Sequence, residues 1–401
     1  MRILLHDNSG HPFQVHLARE LARRGHDVRH LFSAVFQTPR GSLTRQPGDP
    51  ERFEVSAIDP GVPFAKYSYI KRFLQERRYG RLLQRELEAF RPDVALMSNT
   101  PPDALVTPQR WCRAHGVGFV FWVQDIYAEA VARILGQKLG PLGAPIAWHY
   151  RRLEGGLLRH SDQVVPITDD FAPLLRSWGV AADRTTTIEN WSPLDELPLR
   201  PKDNAFAREH GLLDKKVLLY SGTLGLKHNP GLLLAIAEAC RDDPDVAVLV
   251  VSEGLGASWL AERKAESGLD NLRLLPFQPF DRVPDVLGTA DVLLAILEPE
   301  AGIYSVPSKV LTYFCAGKPL LAAMPQENLA ARTIIRREAG LVVAPGDTPG
   351  FVAAARALVA DPARRAALGA HGRAYAEATF DIGRIGERFE AVLTAARRDR
   401  G

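Results

Sequence analysis

Short apolar runs alternate with longer stretches in which apolar residues return every third or fourth position, almost from one end of the chain to the other. That alternation predicts parallel strands, buried on both faces, joined by helices. The first unit is a strand Arg2–His6, a loop Asp7–His11 and a helix with Leu17, Ala18, Leu21 and Ala22 on one face. Gly25 ends that helix, and Asp27–Phe32 begins the next strand. Further strands are expected at Phe53–Ile58, Asp93–Ser98, Gly118–Val123, Gln163–Thr168 and Thr185–Glu189. The pattern then breaks: Trp191–Asn204 has no periodicity and carries Pro193, Pro198 and Pro201, the composition of a linker. A second series follows, with strands at Val217–Ser221, Val246–Val251, Leu272–Phe277, Val292–Leu297, Leu320–Ala323 and Leu341–Val343. The closing helical stretches, Ala363–Glu377 and Ile382–Arg397, have no strand after them. The expected architecture is α/β: two doubly wound, Rossmann-like domains, residues 1–192 and 205–380, joined by a linker at 193–204. Two such domains side by side would place a ligand in a cleft between strand C-termini.

Composition narrows this only a little. A length of 401 residues suits two domains, and 46% hydrophobic with 24% charged residues is ordinary for globular protein. A formal charge of +3 gives no argument for nucleic acid as a partner. Cys112, Cys240 and Cys315 are odd in number and far apart, which argues against a disulfide framework or structural zinc and for a reducing compartment. The opening MRILLH reads as a strand rather than a signal peptide. No apolar run approaches the ~18 residues of a membrane span, so any membrane contact is expected from the surface.

Several motifs are missing. There is no P-loop, no GxSxG and no HExxH, and Gly254-Leu-Gly256 lacks the third glycine of a dinucleotide fingerprint. The informative segment is YSGTLGLKHNP, Tyr220–Pro230. It leaves a buried strand, passes Gly222 and Gly225, presents Lys227 and reaches a helix at Pro230. Glycines let a backbone approach a phosphate, and a helix N-terminus and a lysine supply positive charge. A tight turn with a solvated lysine is the plainer reading of the same residues. In AGIYSVPSKVLTYFCAGKP, Ala301–Pro319, a second phosphate could rest on the amides from Ser305 to Ser308 and on Lys309, with Ser305 or Ser308 as a helix cap. Asp243-Pro-Asp245 precedes a buried strand and reads as a turn, so no metal site is expected. Within 65–91, Lys71, Arg72, Arg77, Arg78 and Arg81 are interleaved with aromatic residues. A basic helix of that kind can lie on anionic headgroups, or it can be a solvated face with its aromatics in the core.

Six segments together resemble the retaining glycosyltransferases of family 4 over nearly the full chain. They are Asn8–Val28, FWVQDIYAEA (Phe121–Ala130), IENWSP (Ile188–Pro193), Tyr220–Pro230, TADVLLA (Thr289–Ala295) and Ser305–Ala322. Within that family the chain is similar to the bacterial surface-polysaccharide subgroup of N-acetyl-fucosaminyl and colanic-acid-type transferases. The resemblance implies the glycosyltransferase B fold, with the C-terminal helix, about 381–401, packing back on the first domain.

It also implies roles. Ser9, Gly10 and His11 would lie under the donor diphosphate, Gly222, Thr223 and Lys227 would hold it from the other side, and the amides of Ser305 and Val306, with Pro307, Ser308 and Lys309, would take its distal part. Glu253 and Phe277 would line the base pocket, Asp125 would face the reacting sugar, and Glu129 and Asn190 would lie at the cleft edge. The expected activity is retaining, metal-independent transfer from a UDP-linked sugar, an N-acetylated deoxyhexose in this subgroup, to a saccharide on a polyprenyl diphosphate. The expected location is cytoplasmic, peripheral at the inner face of the membrane, with no cofactor. Two departures stand out: Thr223 replaces the usual arginine, and Thr312 replaces a glutamate that binds ribose, with Glu298 and Glu300 upstream. An epimerase of the UDP-N-acetylglucosamine 2-epimerase type and a catalytically inactive transferase acting as a scaffold are the competing readings.

Overall fold

The computed structural model describes residues 1–35, 41–62, 69–225, 228–299 and 302–398. It divides the chain into two compact units, Met1–Asn190 with Ile382–Gly401, and Trp191–Asp381.

The first unit runs β1 (Arg2–Asp7), α1 (Pro12–Arg23), β2 (Asp27–Ser33), β3 (Phe53–Ile58), α2 (Tyr69–Phe90), β4 (Val94–Ser98) and α3 (Pro102–Ala114). It continues with β5 (Gly118–Val123), α4 (Tyr127–Leu139), α5 (Ala144–Arg159), β6 (Gln163–Pro166) and α6 (Ala172–Ser177). Its six strands form one parallel sheet in the order β3-β2-β1-β4-β5-β6. The chain leaves β1 toward β2 but later crosses to β4 on the other side, so the loops after β1 and β4 flank a crevice at the strands' C-terminal ends.

The second unit runs α7 (Ala205–Glu209), β7 (Lys216–Ser221), α8 (Gly231–Ala239), β8 (Val246–Val251), α9 (Leu255–Ser267), β9 (Leu272–Leu275) and α10 (Val283–Thr289). It ends with β10 (Val292–Ile296), α11 (Ser308–Cys315), β11 (Leu320–Ala323), α12 (Leu329–Arg336), β12 (Gly340–Val343), α13 (Thr348–Ala360) and α14 (Pro362–Thr379). Its parallel order β12-β11-β10-β7-β8-β9 repeats the topology, with the crevice at β7 and β10.

The last helix, α15 (Ile382–Ala396), belongs to the first unit. Phe389 packs on Trp122 of β5 with ring centroids 4.6 Å apart, and Glu390 binds Arg24 at 2.7 Å and His26 at 2.9 Å. A Cβ on Gly118 would lie 2.2 Å from the Ala396 carbonyl oxygen, so only glycine lets this helix settle on β5.

Two strand expectations change. Thr185–Glu189 forms no strand: one bridge, Val164 to Thr185, and amide bonds from Thr186 and Ile188 tie it to the edge of β6. The expected strand at Leu272–Phe277 stops at Leu275, because Pro276 cannot donate to the ladder. All three cysteines are buried and unpaired, and Asp243 makes the expected turn, its carboxylate accepting from the Asp245 amide at 3.0 Å.

Candidate functional site

In the first unit, the site is built on the loops that follow β1, β4 and β5. Asp7 ends β1 and is fully buried. Its carboxylate accepts from the Ser9 amide at 3.0 Å, from the His11 amide, and from Asn99 Nδ2 at 3.2 Å. Both crevice loops carry a left-handed residue, Gly10 at φ 76° and Asn99 at φ 47°, which lets each chain turn sharply over its strand end. The Ser9 and His11 amides therefore face inward, while Ser9 lines the neighbouring cavity and the His11 imidazole is partly exposed. Burial pulls the His11 pKa down, but the adjacent Asp7 carboxylate, 3.5 Å away, and the charge of Asp125 outweigh it and leave the pKa raised. Burial raises Asp7, and the His11 charge and hydrogen bond more than reverse this, so Asp7 sits below the usual carboxylate range.

Beside that loop lies a cavity of about 240 Å³, whose lining includes Ser9, Arg72, Asn99, Gln124, Asp125, Tyr127 and Glu154. Asp125 is exposed at its lip. Glu154, almost wholly buried, accepts from the Tyr127 and Ala128 amides at 3.1 and 2.7 Å and so caps α4 from within. Burial pushes its pKa up to about 7. Arg72 turns toward this wall: it pairs with Glu76 at 2.7 Å and donates to the Tyr127 hydroxyl at 3.2 Å. Of the basic residues of α2 singled out from sequence, Lys71, Arg77, Arg78 and Arg81 are the exposed ones. Glu129 binds Arg151 at 2.7 Å, and Asn190 and Gln124 bond each other at 2.6 and 3.3 Å.

The second unit gathers its polar groups at the β7 and β10 ends. Gly222 has φ 126°, and a Cβ there would come 3.3 Å from Lys309 Cε and Nζ, so the glycine opens the backbone directly over the lysine. Lys309 is half-buried as a residue, with Nζ bonded to the Tyr220 hydroxyl and 3.7 Å from that ring's centroid. Burial lowers its pKa to about 7 against the opposing charge of Glu298. Tyr220 donates to the Thr223 carbonyl at 2.8 Å, and Tyr313 clamps Ser221 through its amide and carbonyl at 2.9 and 3.0 Å. His228 Nδ1 accepts from the Gly225 amide at 3.0 Å and its Nε2 lies 3.8 Å from Glu298.

The loop before α11 is held by Asn328, which is completely buried. Its Nδ2 donates to the Gly302 and Ser305 carbonyls, both at 2.7 Å, while its Oδ1 caps α12 at Ala330. Pro307 occupies the α11 N-cap position and makes no side-chain cap bond, so neither Ser305 nor Ser308 takes the cap. Glu253 is exposed just beyond β8 and Phe277 half-buried just beyond β9. The Thr312 hydroxyl meets the Ser192 hydroxyl at 3.1 Å. Lys227 and Glu300 lie outside the described residues.

The structure thus gathers Ser9, Gly10, His11 and Asp125 in the first unit, and Gly222, Thr223, Lys309 and the Ser305–Ser308 turn in the second. Sequence reading missed Asp7, Asn99, Tyr313, His228 and Asn328. An asparagine just before a helical pattern marked Asn328 as a cap. Nothing local marked its hold on a loop 23 to 26 residues upstream. Among the described residues no cluster of His, Cys, Asp and Glu has the form of a metal site, and no helix is long and apolar enough to cross a membrane.

Residues 11–191 match the Glycosyl transferase 4-like domain, and residues 215–361 match the Glycosyl transferases group 1 domain. A colanic acid biosynthesis glycosyl transferase, WcaI of Escherichia coli, is 27% identical over 205 residues, 50% of each chain. The glycosyltransferase WbjE of Pseudomonas aeruginosa is 25% identical over 265 residues, 65% of this chain and 64% of that one. The matches thus span about half to two thirds of these relatives' length.

Solved structures agree in fold. HepE of Anabaena, in complex with UDP and glucose, gives a TM-score of 0.71 at 16% identity, covering 98% of this chain and 100% of that one. Sucrose-phosphate synthase of Thermosynechococcus elongatus gives 0.74 at 18%, with the same coverage. The two domain matches, one in each unit, and the doubly wound sheets show that the chain belongs to the glycosyltransferases of family 4 with the glycosyltransferase B fold.

Proposed function

We propose that this chain is a retaining glycosyltransferase that moves a sugar from a UDP-linked donor to a lipid-linked saccharide, on the cytoplasmic side of a membrane, in surface-polysaccharide synthesis. The observation that carries the reading is the β7–β10 crevice, where Gly222, Lys309 and the proline-led N-terminus of α11 meet. A bare backbone, a lysine and the amides of a helix start are what a diphosphate needs. The relatives named for colanic acid and the neighbour solved with UDP and glucose support the substrate classes.

In the proposed step the acceptor oxygen bonds to the anomeric carbon on the face from which the diphosphate oxygen leaves. The acceptor's proton passes to that departing oxygen, and Lys309 and the α11 amides stabilise the charge it gains, a preorganised electrostatic role. Lys227 would join them. In this reading Asp125, on the lip of the first unit's cavity, is the residue assigned to the sugar, and the proposed step includes neither metal nor cofactor.

The test is thermal stabilisation by UDP, GDP, ADP, TDP and NAD, with and without EDTA, followed by anomeric analysis of the product. A ligand at 100 times its dissociation constant adds about 2.7 kcal/mol. Stabilisation by UDP that survives EDTA and weakens in Lys309→Met supports the proposal. A preference for GDP overturns the UDP assignment, and loss of the effect in EDTA overturns metal independence. Conversion of a UDP-sugar without acceptor points to an epimerase, and binding without turnover to a scaffold.

A further inference from the structure

Large exposed apolar side chains are concentrated in one place. Of the ten among the described residues, Ile134, Leu139, Leu142, Ile146 and Trp148 fall within the hairpin of α4 and α5. Leu142, in the short 3₁₀ turn Gly140–Gly143 at its tip, is 81% exposed and Trp148 is 60% exposed. The tip is a defined structure. Gly140 takes φ 54°, and a Cβ on Gly143 would lie 2.8 Å from the Leu135 Cβ, so the turn is pressed onto α4. Between Glu129 and Glu154 the chain carries Arg133, Lys138, Arg151 and Arg152 and no acidic residue, with Arg151 paired to Glu129 and the other three making the rim. Arg152 lies over the Trp148 ring, 5.0 Å from its centroid, pairing an amphipathic aromatic with a cation.

We propose that the α4–α5 hairpin is the surface by which this protein rests on an anionic lipid bilayer, with Leu139, Leu142, Ile146 and Trp148 entering the headgroup boundary. The charge pattern selects this occupant: a basic rim around an apolar tip complements anionic headgroups. A second copy of the same hairpin would set basic rim against basic rim. The hairpin's roots reach the candidate site, since Tyr127 begins α4 and Glu154 on α5 lines the same cavity. Ten helical residues separate Ala144 from Glu154, roughly 15 Å, a distance suited to a saccharide diphosphate standing up from its lipid. The inference rests on the lipid-linked acceptor proposed above for its purpose, though lipid binding is measured without turnover.

The experiment is flotation of the full chain with vesicles of phosphatidylcholine alone and of phosphatidylcholine with phosphatidylglycerol. The chain is expected to float with the anionic vesicles, and the double variant Leu142→Glu with Trp148→Glu to lose at least about tenfold in partitioning. The variant's melting temperature and UDP binding should match the parent's, because both side chains are exposed and outside the site. Equal flotation of parent and variant overturns the proposal, as does no flotation of the parent. A dimer that the same substitutions dissociate, without vesicle binding, assigns the hairpin to a second copy and overturns it too. Lipid binding by a chain that shows no transfer leaves this surface standing and removes the transferase reading instead.

Discussion

Replacing Lys309 with methionine tests the donor site most sharply, because the structure makes this lysine's charge conditional. Its Nζ lies against the Tyr220 ring and under Gly222, where burial brings the pKa to about 7. Near pH 7 about half of the unliganded molecules therefore carry the ammonium. A bound diphosphate supplies the opposite charge that the pocket lacks and restores protonation. Binding should then take up about half a proton at pH 7 and about 0.9 at pH 8. The dissociation constant should rise about fivefold from pH 7 to 8 and about tenfold from 8 to 9. The nucleotide's own phosphate ionisation, near pH 6, is complete by then.

Titration calorimetry of UDP in buffers of different ionisation enthalpy reads the uptake directly. Lys309→Met should abolish it above pH 7 and weaken binding at pH 6.5 by roughly ten- to a hundredfold, the loss of one charge-assisted bond. The Tyr220 hydroxyl keeps the Thr223 carbonyl as a partner in the variant. The unliganded protein supplies a second readout with a fixed sign. A lysine whose folded pKa lies below its unfolded value makes stability rise with pH between about 7 and 10.5, and the variant should lack that rise. The full shift would be worth about 5 kcal/mol; because the residue is only half-buried, solvent screening reduces this to about 2. Proton uptake near zero at pH 8 in the parent, or undiminished in the variant, would refute the assignment of Lys309 to the diphosphate.

Asn328→Ala removes three hydrogen bonds, one buried and two partly buried, and should cost about 3 kcal/mol, seen in denaturant unfolding, with weaker UDP binding because Gly302 and Ser305 lose their anchor. Gly222→Ala forces a side chain into φ 126° and to within 3.3 Å of Lys309, and should weaken UDP binding at least about tenfold in the same calorimetry. Asp7→Asn should destabilise by about 2 kcal/mol in thermal melts, and the gap from the parent should depend on pH. Asp7, held low, contributes above its unfolded value of 3.8 and loses its contribution as pH falls through its folded pKa; His11, held high, contributes below 6.5 and loses its contribution as pH rises through its own. The gap should therefore be widest between about pH 4 and 6.5 and narrow on either side.

Much of the fold was legible because the strands are buried on both faces: Ile3–Leu5, Val246–Val251 and Leu320–Ala323 are unbroken apolar runs that fit nothing else. The strand ends were less so. Thr185–Glu189 has a strand's composition yet makes only alternate bonds to one edge, which depends on its neighbour rather than on its own residues. Site residues carried on glycine-rich or proline-marked turns, such as Gly222 and Pro307, were visible because those backbones need special residues. The residues that hold the turns were not, since Asp7 and Asn328 act on backbone groups whose positions only the fold decides. Arg72 shows a related limit: it counts as one more cation on a basic helix until Glu76 and Tyr127 turn it inward.

The two units solve one problem in opposite ways, and the difference lies in the charge of the anchor. Each has a left-handed residue just past its innermost strand, Gly10 in one and Gly222 in the other. In the first unit the anchor is a carboxylate, so it takes the Ser9 and His11 amides for itself. A loop whose amides point inward is a poor cradle for phosphate; what it presents is an imidazole whose pKa the neighbouring Asp7 carboxylate and the charge of Asp125 raise. That mixture suits the hydroxyls of a saccharide better than a diphosphate. In the second unit the anchor is the neutral Asn328, which donates to the Gly302 and Ser305 carbonyls rather than accepting from amides of that loop. Phosphate affinity should therefore concentrate in the second unit, and an asparagine at position 7 should move the first unit toward it by releasing an amide that the carboxylate now holds.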